Sequence, residues 1–304
     1  YETIGMPLQS LRDWPVDGLI AALTTKREME EVKRLGIPAV NLAGTLRDSE
    51  IPRVTVDNRA VGRLAAEHLI ECGLRDFAYL GLKNIWYSEL RRDGFAEPIA
   101  EVGGSLMVYE MPRYRDPNKA WRMGLEQIGR CLERIRPPTG VLVVNDYRAR
   151  VLVDECHRRQ LIVPDQVAII GVDNDDVVYE FCRPPMSSVS RSGYQVGYQT
   201  AILLDRLMNG DLISGDAPPN EELLIPPDGV IKRRSTDLIA VEHPQVAAAM
   251  EYIRGHLNEW FGVERLVQVL SVSRRQLELL FKKHLNQTPY DYLRRARIDR
   301  AKTL

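Results

Sequence analysis

The chain lacks the features that mark membrane and secreted proteins. It contains no run of eighteen apolar residues, so the sequence predicts no membrane-spanning helix. Residues 1–10 lack the basic start and the apolar stretch of a signal peptide. The four cysteines, at positions 72, 131, 156 and 182, form no Cys-x-x-Cys pair, which is typical of a reduced protein without a disulfide framework. We therefore expect a cytoplasmic protein.

The motifs of nucleotide-dependent enzymes and hydrolases are absent as well. The sequence contains no Gly-x-Gly-x-x-Gly after a predicted strand, no Gly-x-x-x-x-Gly-Lys-Ser/Thr and no Gly-x-Ser-x-Gly. His68, His157 and His284 have no partner at the spacing of metal ligands. These absences favour a protein that is not an enzyme and that needs neither a metal nor another cofactor.

Charge is distributed unevenly along a chain of otherwise ordinary composition. Of the 304 residues, 44% are hydrophobic and 27% are charged, as in soluble globular proteins of two or three domains. Residues 243–304 hold 11 Lys and Arg against 6 Asp and Glu, a charge of +5, whereas the 242 residues before them carry −6. A basic tail on an acidic body is typical of an attached nucleic-acid module, although a solvated helix face gives the same count.

Residues 1–236 alternate short apolar runs with amphipathic stretches. Predicted strands are residues 18–21, 39–42, 77–80, 106–109, 141–144 and 167–170, with a last strand near 230. Predicted helices are residues 28–35, 58–72, 88–101, 118–134, 147–159 and 193–208. This alternation predicts the α/β class, with doubly wound parallel sheets and a ligand site beyond the carboxyl ends of the strands.

Residues 263–284 have the pattern of two short helices joined by a tight turn. In the second helix Leu277 and Phe281 recur at helical spacing, and Ser273 is placed to cap its start. Polar residues occupy the opposite face of that helix. This is the pattern of a helix-turn-helix, whose second helix enters the major groove of DNA.

The outer face of this second helix supplies the candidate DNA-binding residues. Arg275 is the candidate base reader, because arginine pairs with guanine in the major groove. Glu278 either accepts from cytosine or pairs with Lys282 along the helix. Arg274, Lys282 and Lys283 suit phosphate contacts, which give affinity without sequence choice.

Three segments together resemble the LacI/GalR family of sugar-responsive regulators. They are residues 56–69 (VDNRAVGRLAAEHL), residues 143–146 (VVND), and residues 170–175 (IGVDND) followed by 184–189 (PPMSSV). The core of that family is similar to periplasmic sugar-binding proteins. The resemblance implies a two-subdomain, periplasmic-binding-protein-like sensor that holds a sugar between its subdomains.

The tail resembles a second family, the AraC/XylS activators. The resemblance rests on residues 273–283, on residues 287–293 (QTPYDYL) and on Arg297. Asn286 stands where that family usually has glycine, and asparagine also tolerates the left-handed conformation that ends a helix. The family has two helix-turn-helices joined by a long helix. We therefore expect this all-α domain to hold only the first of them and part of the linking helix, and we expect the sensor's first strand and helix to precede residue 1.

The order of these two parts, joined at residues 233–237 (RRSTD), is similar to that of pentose-responsive regulators. It implies a transcription activator that binds double-stranded DNA as a homodimer. It also implies a small sugar as the effector, with D-xylose as the first candidate. We expect a sensor at 1–236, a connector at 237–243 and a DNA-binding domain at 244–304. Within the sensor, the expected subdomains are 1–56 with 189–222, and 57–188 with 223–236. The expected hinge crossings lie near Asp57, Ser188 and Glu222.

The LacI/GalR resemblance also implies which residues hold the sugar. Asp173 is expected to bind sugar hydroxyls, with a structural role in a turn as the alternative. Asn145 is expected to contact the ligand, whereas Asp146 is expected to cap the following helix more than to touch ligand. Arg91 matches a ligand-facing arginine, with an exposed helix arginine as the alternative. The candidates for stacking on the sugar ring, or for packing, are Trp86 and Tyr87.

Three alternatives remain open from the sequence. A sugar-binding receptor of the transport class shares the expected core but has no use for the tail. An α/β enzyme with paired carboxylates in a sugar cleft would hydrolyse a pentoside, whereas a sensor returns the sugar unchanged. A regulator of the same architecture can also sense another ligand, since hexose, pentose and purine sensors share this core.

Overall fold

A computed structural model describes residues 16–112, 117–210, 222–238, 243–285 and 287–301. The chain divides into two compact units, Tyr1–Asp237 and Leu238–Leu304. In the described ranges, no helix is both long enough and apolar enough to cross a membrane.

The elements of the first unit alternate along the chain as the sequence predicts. Its strands are β1 (Leu19–Ala21), β2 (Ala39–Asn41), β3 (Arg53–Val56), β4 (Asp76–Leu82), β5 (Ser105–Met111), β6 (Thr139–Val143), β7 (Val167–Asp173), β8 (Ser187–Ser190), β9 (Glu222–Ile225) and β10 (Gly229–Ile231). Its helices are α1 (Lys26–Leu35), α2 (Asn58–Glu71), α3 (Trp86–Glu101), α4 (Pro117–Leu132), α5 (Asp146–Arg158), α6 (Asp176–Glu180) and α7 (Gly193–Met208). A short 3-10 helix, Arg234–Thr236, ends the unit.

Two separate sheets define two lobes. The four-stranded lobe has the parallel order β1-β2-β3-β9, with α7 packed on it. The six-stranded lobe has the order β10-β8-β7-β6-β4-β5 and is parallel except for the antiparallel edge strand β10. Every residue of β6 is buried, because helices cover both faces of a parallel sheet. The carboxyl ends of β6 and β7 therefore meet at one edge of this sheet.

The strand pairings correct two of the expected subdomain boundaries. Strand β9, whose last three residues were expected in the subdomain that begins at 57, pairs with β3 in the four-stranded sheet. Ile225 packs there with Val40, Val54 and Leu203. Strand β8 stays in the six-stranded sheet as far as Ser190. The chain therefore crosses between the lobes after Val56, after Ser190 and after Ile225.

Helices α2 and α3 of the six-stranded lobe cross at two glycines. A Cβ added at Gly62 would lie 2.1 Å from the Arg91 carbonyl oxygen, and one added at Gly94 would lie 2.0 Å from that of Arg59. Only glycine permits this approach of the two backbones. The crossing brings the side chains at the start of α2 next to Arg91.

The described residues of the second unit form four helices around one small core. They are α8 (Pro244–Gly255), α9 (Val263–Leu270), α10 (Arg274–Leu285) and α11 (Pro289–Ala301). Ser271, in the left-handed region with φ 51°, ends α9, and the Ser273 hydroxyl oxygen accepts a hydrogen bond from Gln276 N at 3.2 Å. The expected turn and cap are therefore confirmed. The buried residues of this core include Met250, Ile253, Leu266, Leu277, Phe281 and Leu293.

Candidate functional site

The carboxyl end of β7 carries a partly buried carboxylate, Asp173. Its backbone has φ 122°, a conformation that residues other than glycine rarely adopt. Arg191 Nε lies 2.7 Å from Asp173 Oδ1 as an ion pair, yet among the described residues no donor makes a hydrogen bond to this buried oxygen. Burial raises the pKa of the Asp173 carboxyl, while Arg191 and Arg91 act to lower it. Asp173 thus lies at the predicted edge of the sheet, and its carboxylate is available there as a hydrogen-bond acceptor.

Arg91 lies beneath this edge and is 3% exposed, so it is not the exposed helix arginine that the sequence left open. Its Nε donates to Asn58 Oδ1 at 2.9 Å, and its Nη1 donates to the carbonyl of Val144 at the end of β6. The guanidinium also lies 5.0 Å from the centre of the Tyr87 ring. Burial lowers the pKa of Arg91, whereas the nearby Asp173 acts to raise it. The buried cation therefore joins α2, α3 and β6 beside the carboxylate.

The helix cap that the sequence predicts at Asp146 is provided by Asn145. Asn145 has extended backbone angles and its side chain accepts from Arg148 N at 3.0 Å, so Asn145 caps α5 and Asp146 does not. Asp146 is the first helical residue and is 1% exposed. Its Oδ1 accepts from the Ser188 hydroxyl at 2.8 Å and its Oδ2 accepts from Asp175 N at 2.9 Å. Asp146 therefore holds strand ends together, and both of its oxygens are engaged.

The setting of Asp146 also shifts its acidity. Burial raises the pKa of its carboxyl to about 7, against the lowering effect of the bonds from Asp175 N and Ser188. The charges of Asp173 and Asp175 add to the raise. A Cβ at Gly171 would lie 2.0 Å from Asp146 Oδ1, so only glycine lets the carboxyl rest against β7. Two carboxyls with raised pKa values therefore share this edge.

The aromatic candidates lie where the first turn of α3 meets the four-stranded lobe. The amides of Trp86 and Tyr87 donate to the carbonyls of Thr45 and Gly44, at 3.0 and 2.9 Å, in the loop after β2. The guanidinium of Arg47 lies 4.9 Å from the centre of the Trp86 ring. Trp86 is therefore already stacked within the protein, and Tyr87 contacts Arg91.

The three crossings between the lobes are bonded to one another. Asp57 caps α2 through Arg59 N and Ala60 N, and Asp57 N donates to the Ile225 carbonyl at 2.8 Å. Asp228, after the third crossing, accepts from the hydroxyls of Ser192 at 2.6 Å and Ser190 at 2.8 Å. These two bonds lower the pKa of Asp228. Hydrogen bonds thus link the chain segments that join the two lobes.

A buried polar network holds the end of the first unit. The Thr236 hydroxyl oxygen lies 2.7 Å from His68 Nε2 of α2 and 2.7 Å from Ser187 Oγ of β8. The Ser235 hydroxyl accepts from Ser187 N at 2.8 Å. Burial lowers the pKa of His68, which favours the neutral ring in this network. The last turn of the unit is thus fixed to the six-stranded lobe.

Sequence reasoning missed two residues of the site. Asn58 lies within the segment 56–69, and its side chain oxygen accepts a hydrogen bond from Arg91. Arg191 reaches Asp173 from the segment between β8 and α7, and no local pattern marks such a contact. In the described part of the chain, no three His, Cys, Asp or Glu side chains group as a metal site, and the four cysteines are buried and unpaired.

The outward face of α10 is basic, and one of its cations forms ion pairs with neighbouring glutamates. Arg274 pairs with Glu264 at 2.8 Å and with Glu278 at 3.0 Å, so Glu278 pairs with Arg274 and not with Lys282. Arg275, Lys282 and Lys283 are exposed and form no ion pair with the described residues. Leu277 and Phe281 are fully buried on the opposite face.

Comparisons with known proteins agree with this arrangement. A model of the periplasmic binding protein-like domain matches residues 66–236. The Xylose operon regulatory protein of Escherichia coli K12 is 30% identical, over 98% of this chain and 76% of that protein. The Haemophilus influenzae protein of the same name is 31% identical, over 95% and 75%.

Solved structures are similar over the same regions. The structure described as the xylose-binding transcription activator xylR has a TM-score of 0.70 and 29% identity, covering 96% of this chain and 77% of that one. A ribose-bound LacI family regulator from Enterococcus faecium has a TM-score of 0.61 and 23% identity, covering 76% and 83%, and is similar in fold.

Proposed function

Since the chain belongs to the family of the xylose operon regulatory proteins and carries a periplasmic binding protein-like domain, we propose that it is a sugar-responsive, DNA-binding regulator of transcription. Its sensor is the first unit, and its DNA-binding part lies in the second. The relatives are named as regulators and not as enzymes, which supports a sensing role for the carboxylates.

The observation that carries the proposal is the Asp173 carboxylate, whose charge interacts with those of Arg191 and the buried Arg91. Its buried Oδ1 forms an ion pair with Arg191 but accepts no aligned hydrogen bond from the described residues, so it has room for a further donor. A sugar hydroxyl supplies one, and an arginine beside it binds neighbouring hydroxyl oxygens. The site faces the hinge between the lobes, where a ligand contacts both of them. Asn145 and Tyr87 are proposed as further contacts, whereas Trp86 and Asp146 act through the protein framework.

D-xylose is the proposed effector, because relatives over nearly the whole chain are named for it. Binding shifts the population toward a closed arrangement of the lobes, since ligand contacts on both sides favour that state. We propose that the protein acts in the cytoplasm as a homodimer that activates pentose catabolism genes.

The DNA-binding part is proposed to be an AraC-type helix-turn-helix formed by α9 and α10. This role is supported by the capped start of α10, by its buried Leu277 and Phe281, and by its exposed cations. Arg275 reads bases, and Lys282 and Lys283 contact phosphates. Arg274 and Glu278 pair with each other, so they orient the helix surface more than they read it.

Calorimetric titration tests the sensor. The chain is titrated with D-xylose, arabinose, ribose, glucose and galactose, and a micromolar response to D-xylose is expected. Asp173→Ala should weaken binding about 10- to 150-fold, because a hydrogen bond to a charged group is lost. Asp205→Ala, which removes an exposed carboxylate on α7, is the matched control. No response to any sugar overturns the sensor; a response to another sugar alone overturns D-xylose.

Fluorescence anisotropy with labelled duplex DNA tests the output. At fixed salt, D-xylose should change the affinity of the chain for its DNA. Equal affinity with and without a bound sugar overturns the regulator. Sugar binding without any DNA binding favours a receptor of the transport class.

A further inference from the structure

One large apolar side chain, Leu279, lies on the outward face of α10. Leu277 and Phe281, both fully buried, fix the face of α10 that points into the core. At 3.6 residues per turn, Leu279 is rotated by about 200° from Leu277 and so points almost directly away from the core. It is 63% exposed. The side chain of Leu279 therefore contributes little to the packing of this core.

The neighbours of Leu279 on this face include three exposed cations. Arg275 lies one turn before it and Lys282 one turn after it, with Lys283 beside them. None of the three forms an ion pair with the described residues of the chain. An apolar group among exposed cations fits a polyanion that presents an apolar group between its charges. Duplex DNA has this chemistry, because the C5-methyl group of thymine is exposed in the major groove between the phosphates.

We infer that Leu279 contacts the methyl group of a thymine and so selects an A·T pair within the DNA site. This inference rests on the proposed DNA-binding function of α10. Side chains one turn apart have Cβ atoms about 5–6 Å apart, and base pairs are stacked about 3.4 Å apart. The thymine therefore lies within about two base pairs of the guanine that Arg275 is proposed to read.

Selection from random duplex DNA, followed by removal of single methyl groups, tests the inference. The whole chain with D-xylose selects its preferred duplex, and each thymine of that duplex is then replaced by uracil. Burying one methyl group contributes about 0.8 kcal/mol, so one replacement should weaken binding of the unmodified chain about fourfold. Leu279→Ala should bind the thymine duplex about fourfold more weakly and should not distinguish thymine from uracil at that position.

Two further variants complete the design. Leu279→Met keeps an apolar side chain of similar size and should retain the response to uracil. Ile298→Ala removes a side chain that is 45% exposed on α11 and should leave the response unchanged.

The outcomes separate the inference from the function on which it rests. If no duplex is enriched, the proposed DNA binding is overturned. If a duplex is enriched but no uracil weakens binding, or if Leu279→Ala responds to uracil as the unmodified chain does, the role of Leu279 is overturned and the proposed function stands.

Discussion

The buried Asp146 carboxyl should make the stability of the sensor depend on pH. Its pKa is raised to about 7 in the folded protein, mainly by burial, from an ordinary value of 3.8. Between these values the unfolded chain has lost the proton and the folded chain retains it. The stabilisation is therefore complete below pH 3.8 and is lost as the pH rises through 7.

The magnitude follows from the two pKa values. One pKa unit corresponds to about 1.4 kcal/mol, and between pH 5.5 and 8.5 the free energy of unfolding should fall by about 2 kcal/mol on account of Asp146. Asp146→Asn removes this dependence, because an amide does not titrate.

Urea unfolding followed by circular dichroism at pH 5.5 and 8.5 measures the effect. The change between the two pH values should be smaller in Asp146→Asn than in the unmodified chain, and groups common to both proteins cancel in the comparison. Asp205→Asn, an exposed carboxylate on α7, should behave as the unmodified chain does. Equal pH dependence in Asp146→Asn and the unmodified chain would refute a raised pKa at Asp146.

Three other predictions concern the framework and the two binding surfaces. Arg91→Lys should weaken sugar binding in calorimetry by about tenfold or more, because an ammonium group cannot bridge Asn58 and the Val144 carbonyl in the same plane; unchanged affinity would remove Arg91 from the site. Gly94→Ala should lower the free energy of unfolding by about 1–3 kcal/mol in urea, because its Cβ would collide with the backbone of α2; an unchanged midpoint would contradict the close crossing. In anisotropy titrations, Arg275→Ala should reduce the preference for the selected DNA by about 1–3 kcal/mol, whereas Lys282→Ala should reduce the salt slope by about one and leave that preference intact; the reverse pattern would exchange their roles.

The parts of the fold that follow local patterns were predictable. Apolar runs located β4, β5, β6 and β7 of the six-stranded sheet but not its interior strand β8, and local pattern also predicted the cap at Ser273. Strand β3 was missed because arginine and threonine interrupt its apolar run, although Arg53 is 3% exposed in the structure. Strand β9 was missed because its partner lies far away in the sequence.

The sequence predicted that the candidate site residues lie near one edge of the sheet, but it did not predict the contacts that each of them makes. The sequence Asn145-Asp146 offers two residues that favour helix caps, and the extended backbone of Asn145 decides which of them acts as the cap. The depth of Arg91 depends on two glycines that let α2 and α3 approach, a distance that no spacing rule contains. Asp173 and Arg191 meet only when β7 and β8 pair.

The network around Thr236 decides where the chain leaves the sensor. The contacts of Thr236 with His68 and Ser187 hold the end of the first unit on the six-stranded lobe. None of these contacts involves the four-stranded sheet. A rigid rotation of the four-stranded lobe about the hinge therefore leaves the root of the connector where it was. In the proposed regulator, rotation of the four-stranded lobe therefore changes the surface that this lobe presents, while the start of the connector stays in place.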